Sequence, residues 1–178
     1  KQQVRGSKSR KVHTFGMKVP SEAYFKMEVK KTYLGLAKKH KLPDLDKLDN
    51  DFEISTIEDN EFLLREIRRK IAEKIEDFTK VLDAILQPET TVADMQECHA
   101  FTDDEKSAVY EVYRKLMYFN RLSVETAIGE NDNKTAEFIN SVFNEWDDIK
   151  KELSRIIAKV KDSWKKETDI HEVLSYLG

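Results

Sequence analysis

The chain has 178 residues, 37 % of them charged and 39 % hydrophobic, with five glycines, three prolines and a net charge of -3. That length holds one domain with a sizeable core, and many helix formers beside so few turn formers predict an all-helical chain. The charge balance excludes a global basic field for nucleic acid, the one cysteine, Cys98, excludes an internal disulfide and suits a reducing cytoplasm, and no apolar run approaches the roughly 18 residues that span a membrane.

Residues 1–19 carry six Lys or Arg and no acid. The composition predicts a basic, disordered arm, with phosphate or nucleic-acid contact as its sharper alternative. The arm has no apolar signal core, and a chain that begins at Lys1 is expected to have lost residues upstream. Residues 20–178 then read as a single helical-bundle domain. Pro20-Ser21-Glu22 opens a helix to about His40. KLPDLDKLDNDFEIS reads as an acidic linker in which Pro43 breaks any helix. Asp44, Asp46 and Asp49 do not fit the twelve-residue calcium pattern, which also needs a glycine at its turn.

Ser55-Thr-Ile-Glu58 has the form of a capping box. From it Ile57, Leu64, Ile71, Phe78 and Ile85 recur every seven residues, with Ile67, Ile75 and Leu82 between them. The pattern predicts one helix of about 30 residues, ended by Pro88, with Arg68, Arg69 and Lys70 on a solvated face. Residues 89–101 are expected to form a short helix and a bend. Thr102-Asp-Asp-Glu105 is a second capping box and starts a helix reaching Ile128. Val109, Val112, Leu116 and Phe119 make one apolar stripe on it, and Tyr110, Tyr113 and Met117 a second. A helix apolar on two faces is central in its bundle or lies at a subunit contact, which predicts a homo-oligomer.

Gly129 stands where a left-handed helix cap is expected, and Asn131, Asp132 and Asn133 offer N-caps for the next helix. That helix repeats Ile139, Trp146, Leu153 and Val160 every seven residues, with Val142, Ile149 and Ile156 between, and is expected to run to Lys166. Thr168 caps a last short helix, DIHEVLSYL. The turn at Gly129 makes an αα-hairpin, and the long helices with the one at 21–40 give a four-helix up-down bundle with extra short helices, of the ferritin-like kind.

A di-iron site in such a bundle needs Glu-x-x-His pairs, and the sequence contains none. His13, His40, His99 and His171 fall in tails, helix ends or connections. Glu97, Cys98 and His99 are consecutive and cannot share one helix face, so no metal site is expected and Cys98 reads as partly buried. There is no phosphate-cradling glycine loop and no glycine elbow for a serine nucleophile. Trp146 is expected in the core; Trp164 sits beside the stripe.

The hairpin, with Gly-Glu-Asn-Asp-Asn followed by Thr-Ala-Glu-Phe-Ile-Asn-Ser-Val-Phe-Asn, resembles the last hairpin of the PduO-type cobalamin adenosyltransferases. Phe138, Ile139, Asn140 and Val142 match that family's Phe/Tyr-Leu-Asn-Arg-Leu-Ser-Asp run in kind, while Ser141 and Asn144 replace its arginine and aspartate. The resemblance implies a trimer of four-helix bundles that moves adenosyl from ATP to cobalamin at subunit interfaces. The family's Arg-x-x-x-Arg-Arg-x-Glu-Arg motif is not kept. With Arg114 on its first arginine, the later positions hold Tyr118, Phe119, Arg121 and Leu122. A register set from Gly129 places Val112, Leu116, Met117, Phe119 and Asn120 there. Triphosphate needs several fixed cations, which apolar groups cannot supply. The phosphate segment Thr-Gly-Asp-x-Gly is also missing, with Thr14-Phe15-Gly16 a poor remnant.

The sequence therefore leads to an oligomeric helical bundle without catalytic residues, metal or cofactor, working through a partner or small ligand. Its alternative is an ATP–magnesium and corrinoid-binding adenosyltransferase that would use Arg114, Arg121 and Asn140 as ligand-binding residues.

Overall fold

The computed structural model describes residues 22–88, 91–129 and 131–165, with side chains from residue 27 onward. The basic segment 1–19 and the short helix expected after Thr168 lie outside the described residues. Helices α1 (Glu22–His40), α2 (Leu45–Phe52), α3 (Leu63–Leu86), α4 (Val92–His99), α5 (Asp103–Gly129) and α6 (Asp132–Ser163) follow in order, with one 3₁₀ turn at Ile54–Thr56. The described residues form an all-helical fold with no strand.

The three long helices α3, α5 and α6 each pack on the other two. Their order of direction can be read from side chains that cross between them. Arg68, near the start of α3, donates to the Ser123 carbonyl (3.1 Å) and hydroxyl (3.0 Å) near the end of α5. Lys159, near the end of α6, pairs with Glu105 at the start of α5. Helix α5 is thus antiparallel to both neighbours. The heptad residues supply the core: Ile67, Ile71, Ile75, Leu82 and Ile85 from α3, Leu116 and Phe119 from α5, and Ile139, Val142, Trp146 and Leu153 from α6 are buried. Single helices are marginal in water; the shared apolar stripe is what holds these three.

Helix α1 packs on α2, the 3₁₀ turn and α3. Among its described side chains, Val29 and Tyr33 are buried. The Tyr33 hydroxyl donates to the Pro43 carbonyl at 2.8 Å. Burial first, and Asp44 second, raise that hydroxyl far above the usual tyrosine range, so it remains a donor.

Several sequence expectations change here. The acidic stretch after Pro43 is not a linker but carries α2. Asp44 caps it, accepting from the Lys47 amide at 3.2 Å. Leu48, Phe52 and Ile54 are buried, and the Phe52 ring lies 4.7 Å from the Trp146 ring. Asp51 meets Lys150 of α6 at 2.8 Å. The proline breaks the chain before the helix, where it does no harm, and the acids cover its outer face.

The capping box at Ser55–Glu58 does not form. The Ser55 amide is taken by the Asp49 carboxylate at 2.5 Å, and α3 starts only at Leu63, with Phe62 at an N-cap that has no side-chain bond. Helix α3 therefore has 24 residues, and Ile57 is buried from the loop rather than from the helix. The box at Thr102 does form. The Glu105 amide donates to Thr102 Oγ1 (3.3 Å) and the Thr102 amide to Glu105 Oε2 (2.8 Å).

Gly129 is the last residue of α5 and its φ lies outside the left-handed region. The left-handed positions are instead Lys41 (φ 53°) and Glu53 (φ 55°), just past α1 and α2. Asn131 caps α6 as expected, accepting from the Asn133 and Lys134 amides at 2.9 and 3.3 Å.

Candidate functional site

At about 100° per residue, the buried side of α5 is a single band through Val109, Val112, Leu116, Phe119, Ser123 and Thr126. The second stripe begins with Tyr110, Tyr113 and Met117. Continued at the same spacing it reaches Val124 and Ile128, and these five fall within about 60° of one another on the helix wheel. The band faces α3 and α6; the stripe lies roughly 110° round from it and opens to solvent. Tyr110 is 51 % exposed, Val124 49 % and Ile128 82 %. Tyr113 and Met117 are half-buried. The sequence pattern of 3 and 4 already contained Val124 and Ile128, since Met117 plus seven is Val124 and four more is Ile128.

The stripe ends at a cleft of about 680 Å³ between the end of α3 and the start of α5. Asp83 and Leu86 form one wall and Lys106, Tyr110 and Tyr113 the other. The two tyrosine rings stack with centroids 6.4 Å apart. Burial first, then the Asp83 carboxylate, raise the Tyr113 hydroxyl above its ordinary value. A tyrosine shifted that way stays protonated at neutral pH, so Tyr113 can donate a hydrogen bond but cannot act as a base.

The expected ligand residues are not gathered into one place. Arg114 and Arg121 stand two turns apart on the exposed side of α5. Arg114 Nη2 is held by Glu111 Oε2 at 2.5 Å. Asn140 belongs to α6 and donates through Nδ2 to the His40 carbonyl at 3.4 Å, tying the end of α1 to α6. None of the three lines the cleft beside Tyr110, the groove along Phe78 and Ile157, or the groove between Val112 and Ile149.

Among the described residues no group of three or more His, Cys, Asp or Glu is placed to hold a metal. Cys98 is partly buried. Trp146 is buried as expected, whereas Trp164 is half-exposed and its indole N–H donates to Glu97 Oε1 at 2.9 Å. No helix among the described residues is long and apolar enough to cross a membrane. No family model matches the chain, and neither a curated protein nor a solved structure is significantly similar to it. The likeness of the hairpin to the adenosyltransferases thus stands on the hairpin residues alone.

Proposed function

We propose that this chain is a non-catalytic helical-bundle protein of the cytoplasm that works by self-association and by binding a protein or small ligand. The single observation that carries the reading is the outer stripe of α5. An apolar stripe running about 27 Å along one helix, beside a helix whose other face is already buried, is the arrangement of a subunit contact. Of the ten large hydrophobic side chains exposed among the described residues, four are on α5, and three of these, Tyr110, Val124 and Ile128, lie in the stripe. Burial of Val29 and Tyr33 supports α1 as the fourth member of an up-down bundle with α3, α5 and α6.

The test is gel filtration of the intact chain and of Ile128→Asp. The reading expects a mass above one chain that falls to one chain in the variant. A single-chain mass for both would overturn it. The competing reading is adenosyl transfer from ATP to cobalamin through Arg114, Arg121 and Asn140. It expects a thermal midpoint that rises with ATP–magnesium and cobalamin, by roughly 2.7 kcal/mol of stability at 100 times the dissociation constant. The proposed reading expects no such rise.

A further inference from the structure

We infer that the partner on the α5 stripe is a second copy of this chain, docked with the two α5 helices antiparallel about a two-fold axis at the level of Phe119. This inference rests on the self-association reading and adds the geometry. A two-fold contact must be self-complementary, so each residue on the stripe has to suit the residue that the axis places opposite it. An axis at the level of Phe119 sets Tyr110 opposite Ile128 and Tyr113 within one residue of Val124, pairing exposed Tyr110 and half-buried Tyr113 each with an exposed aliphatic side chain. Met117 then lies opposite the stretch at Asn120 and Arg121, next to the axis.

The flanking charges obey the same axis. Arg114 and Glu125 both stand on the solvent edge of the stripe, both exposed. Their levels are symmetric to within one residue, about 1.5 Å, about Phe119, so Arg114 of one copy meets Glu125 of the other, twice per dimer. Arg114 also pairs with Glu111 on its own helix, an exposed contact that it would share with, or exchange for, the partner's carboxylate. A parallel two-fold sets each edge of the stripe against the partner's opposite edge, where Val109, Asn120 and Ala127 offer Arg114 no carboxylate, so only the antiparallel pair brings Arg114 to Glu125. A single-helix stripe falls short of the ~800 Å² per partner of a standard interface, so the dimer is expected to dissociate within the micromolar range.

Two experiments read the geometry. In a Cys98→Ser background, Arg114→Cys and Glu125→Cys are made as separate full-length proteins, mixed and mildly oxidised. The antiparallel pair gives a cross-linked dimer from the mixture and little from either protein alone. In parallel, sedimentation equilibrium follows Arg114→Glu, Glu125→Arg and the double exchange. Each single reversal turns two attractions into repulsions and is expected to raise the dissociation constant by roughly tenfold, and the double exchange to restore it. An oligomer that cross-links Arg114→Cys to itself, or that does not recover in the double exchange, overturns the antiparallel geometry and leaves self-association standing. A monomer throughout the micromolar range overturns both.

Discussion

At the scale of single residues, the backbone and the sequence pattern disagree at Gly129. A glycine after the last periodic residue is a common left-handed cap, yet Gly129 keeps a φ outside that region, and a Cβ built on it meets nothing within 4 Å. Glycine there gives up helix propensity without using its freedom. Gly129→Ala is therefore expected to stabilise the protein by about 0.5 kcal/mol in urea unfolding, whereas a left-handed cap would make the same change destabilising. The converse holds at Glu53, which sits in the left-handed region without the freedom of glycine. Glu53→Gly is expected to raise the urea midpoint, by up to about 1 kcal/mol, because it relieves the Cβ conflict. The two tryptophans separate in the same way. Trp146 is buried against Phe52 and Phe78, so Trp146→Ala is expected to cost about 3–5 kcal/mol. Trp164→Phe, at a half-exposed site, is expected to change stability by less than about 0.5 kcal/mol.

At the scale of elements, the capping box of α5 also links two helices. Glu105 closes the box with Thr102 and pairs with Lys159 of α6. The bond to Lys159, followed by those to Thr102, holds the Glu105 carboxyl down to about 2. A carboxyl whose folded value is depressed stabilises the fold fully above its unfolded value of 4.5 and loses that contribution as pH falls toward about 2. The difference in urea midpoint between the native chain and Glu105→Gln should thus be flat above pH 5 or so, shrink below it, and vanish near the lower value. A difference that grew on acidification would contradict the link. Raised salt should reduce it too, because the pair is half-exposed.

Elements were legible in the sequence where one signal dominated. Helices α5 and α6 follow unbroken heptads with good caps at Thr102 and Asn131, and their ends fall within a few residues of expectation. Helix α2 was hidden because five acids between Asp44 and Glu53 read as solvated linker, while Leu45, Leu48 and Phe52 carried the helical spacing underneath. The box at Ser55 failed because the Asp49 carboxylate, six residues earlier, takes the Ser55 amide, and α3 begins a turn and more later. One local side-chain bond to the backbone thus displaces another. The outer stripe of α5 was half legible, through its tyrosines and Met117. The positions of Arg114, Arg121 and Asn140 relative to one another could not be read from sequence, since they depend on which side of each helix faces its neighbours.

At the scale of the whole molecule, α3, α5 and α6 close one core, and α1 with α2 covers part of it. Phe52, Trp146 and Phe78 mark where that cover meets the core. Among the described residues the outer side of α5 is left open. Burying it against a second copy would remove apolar surface at about 25 cal/mol per Å² before the cost of ordering two chains, which is enough for a concentration-dependent dimer and too little for a permanent one. Val124 is 49 % exposed, so a charge placed there enters no core and should leave the monomer's melt within about 0.5 kcal/mol of the native chain.

The most direct measurement is light-scattering mass across a concentration series for the native chain and Val124→Asp, both first shown to have the same helical content. The native mass is expected to rise from one chain toward two with concentration, and the variant to stay at one. A native chain that remains single at every concentration, or a variant that associates as the native chain does, would contradict it.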